Sequence, residues 1–115
     1  DVDHVNAHGC GAVELARFEA RGIADVFGTN TPVFAPLSYF GSLGAAAGVI
    51  EAAASVMALH HGLLPGTLNH TAADPTCPVA VHTGGPRPLA KPYAVTAGYT
   101  ALGQCAAVVF KRWQG

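Results

Sequence analysis

From Val26 to Pro86 the chain carries only two charged side chains, Glu51 and Asp74, and no other feature restricts its folding so strongly. A segment this poor in charge must be largely covered. A domain of 115 residues is too small to hide it from water alone, so the simplest physical expectation is a piece that packs against more protein. The start at Asp1 instead of Met, with no basic-then-apolar leader before the first periodic segment, is read the same way. The composition agrees, being 50% hydrophobic and 11% charged, where an average soluble domain carries roughly a quarter charged residues. Disorder is excluded. Six basic against seven acidic residues leave a net charge of -1, which provides no field to hold nucleic acid or an anionic membrane.

The most apolar run, Leu43 to Leu59, is rich in Ala and Gly and has Glu51 at its middle. It is shorter than the roughly 20 strongly apolar residues of a membrane span, so no transmembrane helix is expected. Cys10, Cys77 and Cys105 are odd in number and widely spaced, which argues against a disulfide framework and fits a reducing cytoplasm. No metal site or cofactor is expected. The chain has no Cys-x-x-Cys, and His4 and His8 would share a face only in a helix that the β-prone start and Gly9 oppose.

Periodicity divides the chain into elements. Asp1 to His8 reads as a short strand running into the turn Gly9-Cys10-Gly11, a place for exposed chemistry. Val13 to Phe27 has helical spacing, with Val13, Leu15, Phe18, Ile23, Val26 and Phe27 apolar and Gly28 as a left-handed stop. Thr31 to Ala35 reads as a second strand. Ser42 to His61 reads as a helix apolar nearly all round and therefore buried, with Ser42 as a candidate N-cap. Leu63 to Pro88, rich in Pro and Gly, reads as a long covering loop with one short strand at Val79 to Val81. Tyr93 to Thr96 and Ala106 to Phe110 read as antiparallel strands joined by Gly98 to Gly103. This order predicts an α/β fold, a mixed β-sheet with helices packed on it and one face covered from outside the chain.

Several segments carry a resemblance in the right order: Val5-Asn6-Ala7-His8-Gly9-Cys10-Gly11-Ala12, then Glu19-Ala20-Arg21, then Pro32 to Ser38 and Gly41 to Ala53 with Ile50-Glu51-Ala52-Ala53. His61-Gly62-Leu63-Leu64-Pro65-Gly66-Thr67-Leu68-Asn69 and Asp74-Pro75-Thr76-Cys77 follow. Together they resemble the C-terminal half of β-ketoacyl synthases, the condensing enzymes of fatty acid and polyketide synthesis, along essentially the whole chain. The segments are similar to that family's V-N-A-H-G-T-G-T, E-A-x, K-S-x-x-G-H followed by an Ala/Gly-rich helix with I-E-A-A, H-G-x-L-P-P-T-L-N and D-P-x-C.

The resemblance implies the C-terminal half of a thiolase-like layered fold, with residues 1–115 as one domain and the Ala-rich helix in its central layer. It also implies condensation by a cysteine in an N-terminal half that this chain does not contain; Cys10 stands where the family has Thr. His8 matches the family's first catalytic His, which assists malonyl decarboxylation and stabilises the carbanion. A neutral imidazole can donate one hydrogen bond to such developing charge; the bland alternative is a loop histidine fixed by the fold. The family's second catalytic His falls at Ser42 and its Lys at Leu37, so two strong donors are missing. A serine hydroxyl neither shares positive charge nor exchanges protons near neutral pH, and losing one oxyanion donor costs on the order of 10² to 10³ in rate. For Ser42 a helix N-cap is the favoured reading.

In place of the family's G-F-G-G loop stand Thr100-Ala101-Leu102-Gly103-Gln104-Cys105. The resemblance puts the acyl-pocket gate at Ala101, Leu102 and Gly103, with Ala101 at the gating phenylalanine; a plain hairpin turn is the equal alternative. His60-His61 is explained by a helix C-terminus, and Phe110 and Trp113 by a buried strand end. His70 and His82 lie in the covering loop without a visible partner. The expected function is therefore a catalytically degenerate, chain-length-factor-like partner in fatty acid or polyketide synthesis, with an active ketosynthase using His8 as the alternative. An unrelated small binding module is a third and less favoured reading. The partners implied are the N-terminal half, an acyl carrier protein and a homo- or heterodimer mate, in the cytoplasm.

Overall fold

A computed structural model describes residues 1–115. Strand β1 (Val2–Asn6) lies at the centre of a five-stranded sheet, flanked by β2 (Pro32–Phe34) and β6 (Tyr93–Tyr99), with β4 (Ala80–Val81) and β7 (Cys105–Lys111) at the edges. The pairs β1/β2, β1/β6 and β2/β4 are parallel and β6/β7 is antiparallel, which makes the sheet mixed as expected. A central parallel strand is covered on both faces, and Asp3 through Ala7 are all buried. The register of β1 against β6 shifts between Val2 and His4, so Asp3 is the extra residue of a bulge.

Helix α1 (Val13–Phe27) occupies the bounds its periodicity predicts and turns Ala20 and Ile23 inward. Ile23 meets Val5, Ala7 and Val33 in the apolar core. Gly28 closes α1 with φ +79° but an extended ψ, instead of the left-handed cap expected. A short helix α2 (Leu37–Phe40) and a 3-10 turn (Gly44–Ala46) precede helix α3 (Ala47–His61).

These elements correct the reading of Ser42. The helix begins five residues later, Ala46 is its N-cap and no side chain caps it. Gly41 breaks the chain first, with φ +71° at the end of α2, a conformation that favours glycine and stops helical propagation. Ser42 is exposed.

The buried helix is covered on one side only by this chain. Ala47, Glu51, Ser55, Ala58 and Leu59 face the sheet. Val49 is 72% exposed and Met57 54%, and β7 is open along nearly its whole length. Trp113, expected at a buried strand end, is 89% exposed, two residues beyond the end of β7 at Lys111.

The covering loop is more structured than its composition suggests. β3 (Leu63–Leu64) pairs antiparallel with β5 (Arg87–Pro88), and β4 joins the main sheet. Thr67 N–H donates to His82 O at 2.7 Å, and Tyr39 O–H donates to Gly66 O at 2.6 Å. Proline removes donors but still accepts hydrogen bonds, so such a segment can be pinned by short two-residue pairings.

Candidate active site

His8 lies just beyond the C-terminal end of β1, where parallel sheets present functional groups. Its backbone and its ring are held separately. Glu19, on the second turn of α1, accepts from His8 N–H at 2.7 Å and from Gly9 N–H at 3.0 Å. Gly9 has φ +56°, and a Cβ there would stand 3.0 Å from Ala35 Cβ, so this turn requires glycine.

On the ring, Nδ1 lies 2.7 Å from Glu51 Oε1, and Tyr99 stands edge-on with centroids 5.2 Å apart. The His8 side chain is 20% exposed while that of Glu51 is fully buried. Tyr99 OH also meets Cys10 Sγ at 3.4 Å.

Below His8 a polar chain ties β1, α3 and β6 together. Asn6 Nδ2 donates to Glu51 O at 2.6 Å and to Ser55 Oγ at 3.0 Å, and Ser55 Oγ lies 2.7 Å from Thr96 Oγ1. Buried polar groups this well paired fix one geometry. Two acceptors remain without a partner, Asn6 Oδ1 and Glu51 Oε2.

Burial pushes the Glu51 carboxyl up; the His8 hydrogen bond and charge oppose this and the Glu19 charge adds to it. Burial likewise raises Glu19, against the pull of Gly9 and His8 N–H and the His8 charge. Burial and the Cys10 contact push the Tyr99 hydroxyl up, so it stays protonated.

The residues singled out from sequence are not all brought together. His8 is at the centre. Leu37 is the buried first residue of α2, and Ser42 is exposed between α2 and the 3-10 turn, with no hydrogen bond to His8. Ala101, Leu102 and Gly103 form the exposed turn between β6 and β7, where Gly103 N–H donates to Thr100 O and Gly103 has φ +88°. Since β6 is parallel to β1 and Tyr99 touches His8, this turn leaves the sheet at the His8 end. His60 and His61 are exposed on the last turn of α3, and His82 Nε2 lies 3.2 Å from Gly85 O.

Glu19, Tyr99 and Asn6 were not picked out as site residues from sequence. Glu51 left a signal, since a lone carboxylate in an uncharged helix has to find a partner.

The sequence comparison decides the family. Residues 1–71 match the family described as "Beta-ketoacyl synthase, C-terminal domain". The chain belongs to the β-ketoacyl synthase family.

Over 114 residues, 98% of the chain, this ketosynthase domain is 37% identical to the 3-oxoacyl-[acyl-carrier-protein] synthase 2 of Mycobacterium bovis. It is 39% identical over 80 residues, 67% of the chain, to the actinorhodin polyketide putative beta-ketoacyl synthase 1 of Streptomyces coelicolor. It spans 27% of the first relative's length and 17% of the second's. Among solved structures, the ishigamide ketosynthase/chain length factor matches with a TM-score of 0.91 and 27% identity, over 97% of this chain and 28% of that one. The fold is thus the C-terminal domain of the thiolase-like superfamily, which corresponds to the mixed sheet and its Ala-rich helix. No helix is long and apolar enough to cross a membrane.

Proposed function

We propose that this ketosynthase domain is the C-terminal half of a subunit that pairs with a condensing synthase and shapes its product, without condensing by itself. One observation carries this reading. Of the three polar positions that the family resemblance assigns to developing charge, only His8 keeps its group, while position 37 is a buried leucine and position 42 an exposed serine that caps nothing. Decarboxylating a malonyl thioester creates negative charge that needs preorganised donors, and each one lost costs about 10² to 10³ in rate.

The likeness to a ketosynthase/chain length factor structure supports the same reading. So do the open outer face of α3 and the open β7, which offer surface for the N-terminal half of the same fold. The subunit works in the cytoplasm on acyl chains borne by an acyl carrier protein. The turn at Ala101, Leu102 and Gly103, small at the gating position, leaves the acyl channel open.

A second reading, a condensing ketosynthase that uses His8, is favoured by the anchoring of His8 at three points. The test mixes the full-length parent with a condensing synthase and malonyl carrier protein. Co-elution as a heterodimer with a change in product length, and no condensation by the parent alone, is the expected result. Condensation by the parent alone selects the second reading.

A further inference from the structure

We infer that Glu51 is the positioning residue of His8, fixing the neutral ring in the tautomer that carries its proton on Nδ1 and so leaving Nε2 as a hydrogen-bond acceptor. The inference deepens the proposed function and rests on His8 being the working group of that site.

Burial raises Glu51, but wherever its carboxylate is ionised it offers only acceptors, and the imidazole nitrogen 2.7 Å away then carries the proton. In a neutral ring the other nitrogen then has a lone pair. Glu51 cannot easily turn away. Its side chain is fully buried, its backbone oxygen is held by Asn6 Nδ2, and Oε2 faces Gly98 of β6, whose Cβ, were it present, would lie 3.9 Å away. The leucine at position 37 adds no cation that would compete for the carboxylate. Tyr99 stands edge-on to the ring, and Glu19 holds the His8 backbone.

This arrangement gives the site a definite preference. Nε2 accepts from a hydroxyl or an amide N–H of a ligand, and in the neutral ring it has nothing to donate to an oxyanion.

The tautomer can be read directly, without turnover. The full-length parent is labelled with nitrogen-15 histidine, its His8 signals are assigned by loss in His8→Gln, and the two ring-nitrogen shifts are measured at mildly alkaline pH. One protonated nitrogen at Nδ1 and one bare nitrogen at Nε2 is the expected pattern, moving toward Nε2–H in Glu51→Gln. A proton on Nε2 in the parent overturns the inference, as does a Glu51→Gln spectrum identical to the parent's in folded protein. The parent spectrum alone decides if that variant fails to fold. Carbon dioxide release by a parent that shows the expected tautomer would instead refute the non-condensing reading and leave the tautomer standing.

Discussion

The two ends of β1 each place a histidine beside a carboxylate, and they do opposite things with it. At the entry end, His4 Nδ1 lies 3.1 Å from Asp3 Oδ1, and both side chains are sealed. The Asp3 carboxylate, at the bulge, reaches β5 and the segment that follows it. There it accepts from Arg87 Nη2 at 2.8 Å, Ala90 N–H at 2.7 Å and Lys91 N–H at 3.1 Å. At the exit end, the partner of His8 comes from a helix 43 residues away in sequence, and the ring keeps one edge toward solvent. The first pair staples a strand to a loop. The second leaves a ring edge open to solvent. What separates them is where the chain leaves the sheet, so a histidine beside a carboxylate does not by itself define a site.

Removing the staple should have the largest effect. Asp3→Ala leaves the Arg87 guanidinium without its carboxylate and two backbone N–H groups unpaired, and denaturation of the full-length parent should show a loss of about 3 kcal/mol, as for breaking a buried ion pair. Asp3→Asn should recover part of it. Gly9→Ala forces an alanine into a positive φ against Ala35 and should cost about 1–2 kcal/mol. It should also move His8 away from Glu19, lowering any ligand affinity at His8, whereas a binding surface that tolerates Gly9→Ala without change would break the comparison.

The two ends should also respond to pH with opposite signs. Burial raises Asp3, but the Arg87, Ala90, His4 and Lys91 hydrogen bonds outweigh it and hold the carboxyl below its usual value of 3.8. Burial holds His4 below its usual 6.5, against the pull of Asp3. The unfolded chain therefore takes up these protons first, so their stabilisation is present above the usual values and is lost as pH falls through the lowered ones. Glu19 and Glu51 are raised above 4.5, so the folded chain takes up their protons first and gains stability as pH falls through the raised values. Thermal midpoints measured from pH 7 downward should thus lose less on acidification in His4→Phe and more in Glu51→Gln, a sharper outcome than either variant gives at one pH. Ser42→Ala should have the smallest effect, within about 0.5 kcal/mol, because the hydroxyl is exposed and caps no helix.

Much of this was legible in the sequence, and the exceptions have physical causes. The bounds of α1 follow from its apolar spacing, because one face of that helix packs within this chain. The start of α3 was misplaced since small apolar residues run without interruption from Gly44, and only the positive φ of Gly41 and the 3-10 turn divide them. Trp113 was misplaced because hydrophobicity says that a residue favours cover but not that this chain supplies it. At the site, His8 followed from motif and turn. Its partners did not: Glu19 lies 11 residues away, and Glu51 and Tyr99 are brought in by packing, which no local pattern records.

The central claim is that His8 alone, with leucine at 37 and serine at 42, does not sustain decarboxylation. It is tested most directly by carbon dioxide release from malonyl carrier protein, comparing the full-length parent with its Leu37→Lys, Ser42→His double variant. A silent parent and a variant that gains release is the expected result, and release by the unmodified parent at the rate of a condensing synthase would contradict it.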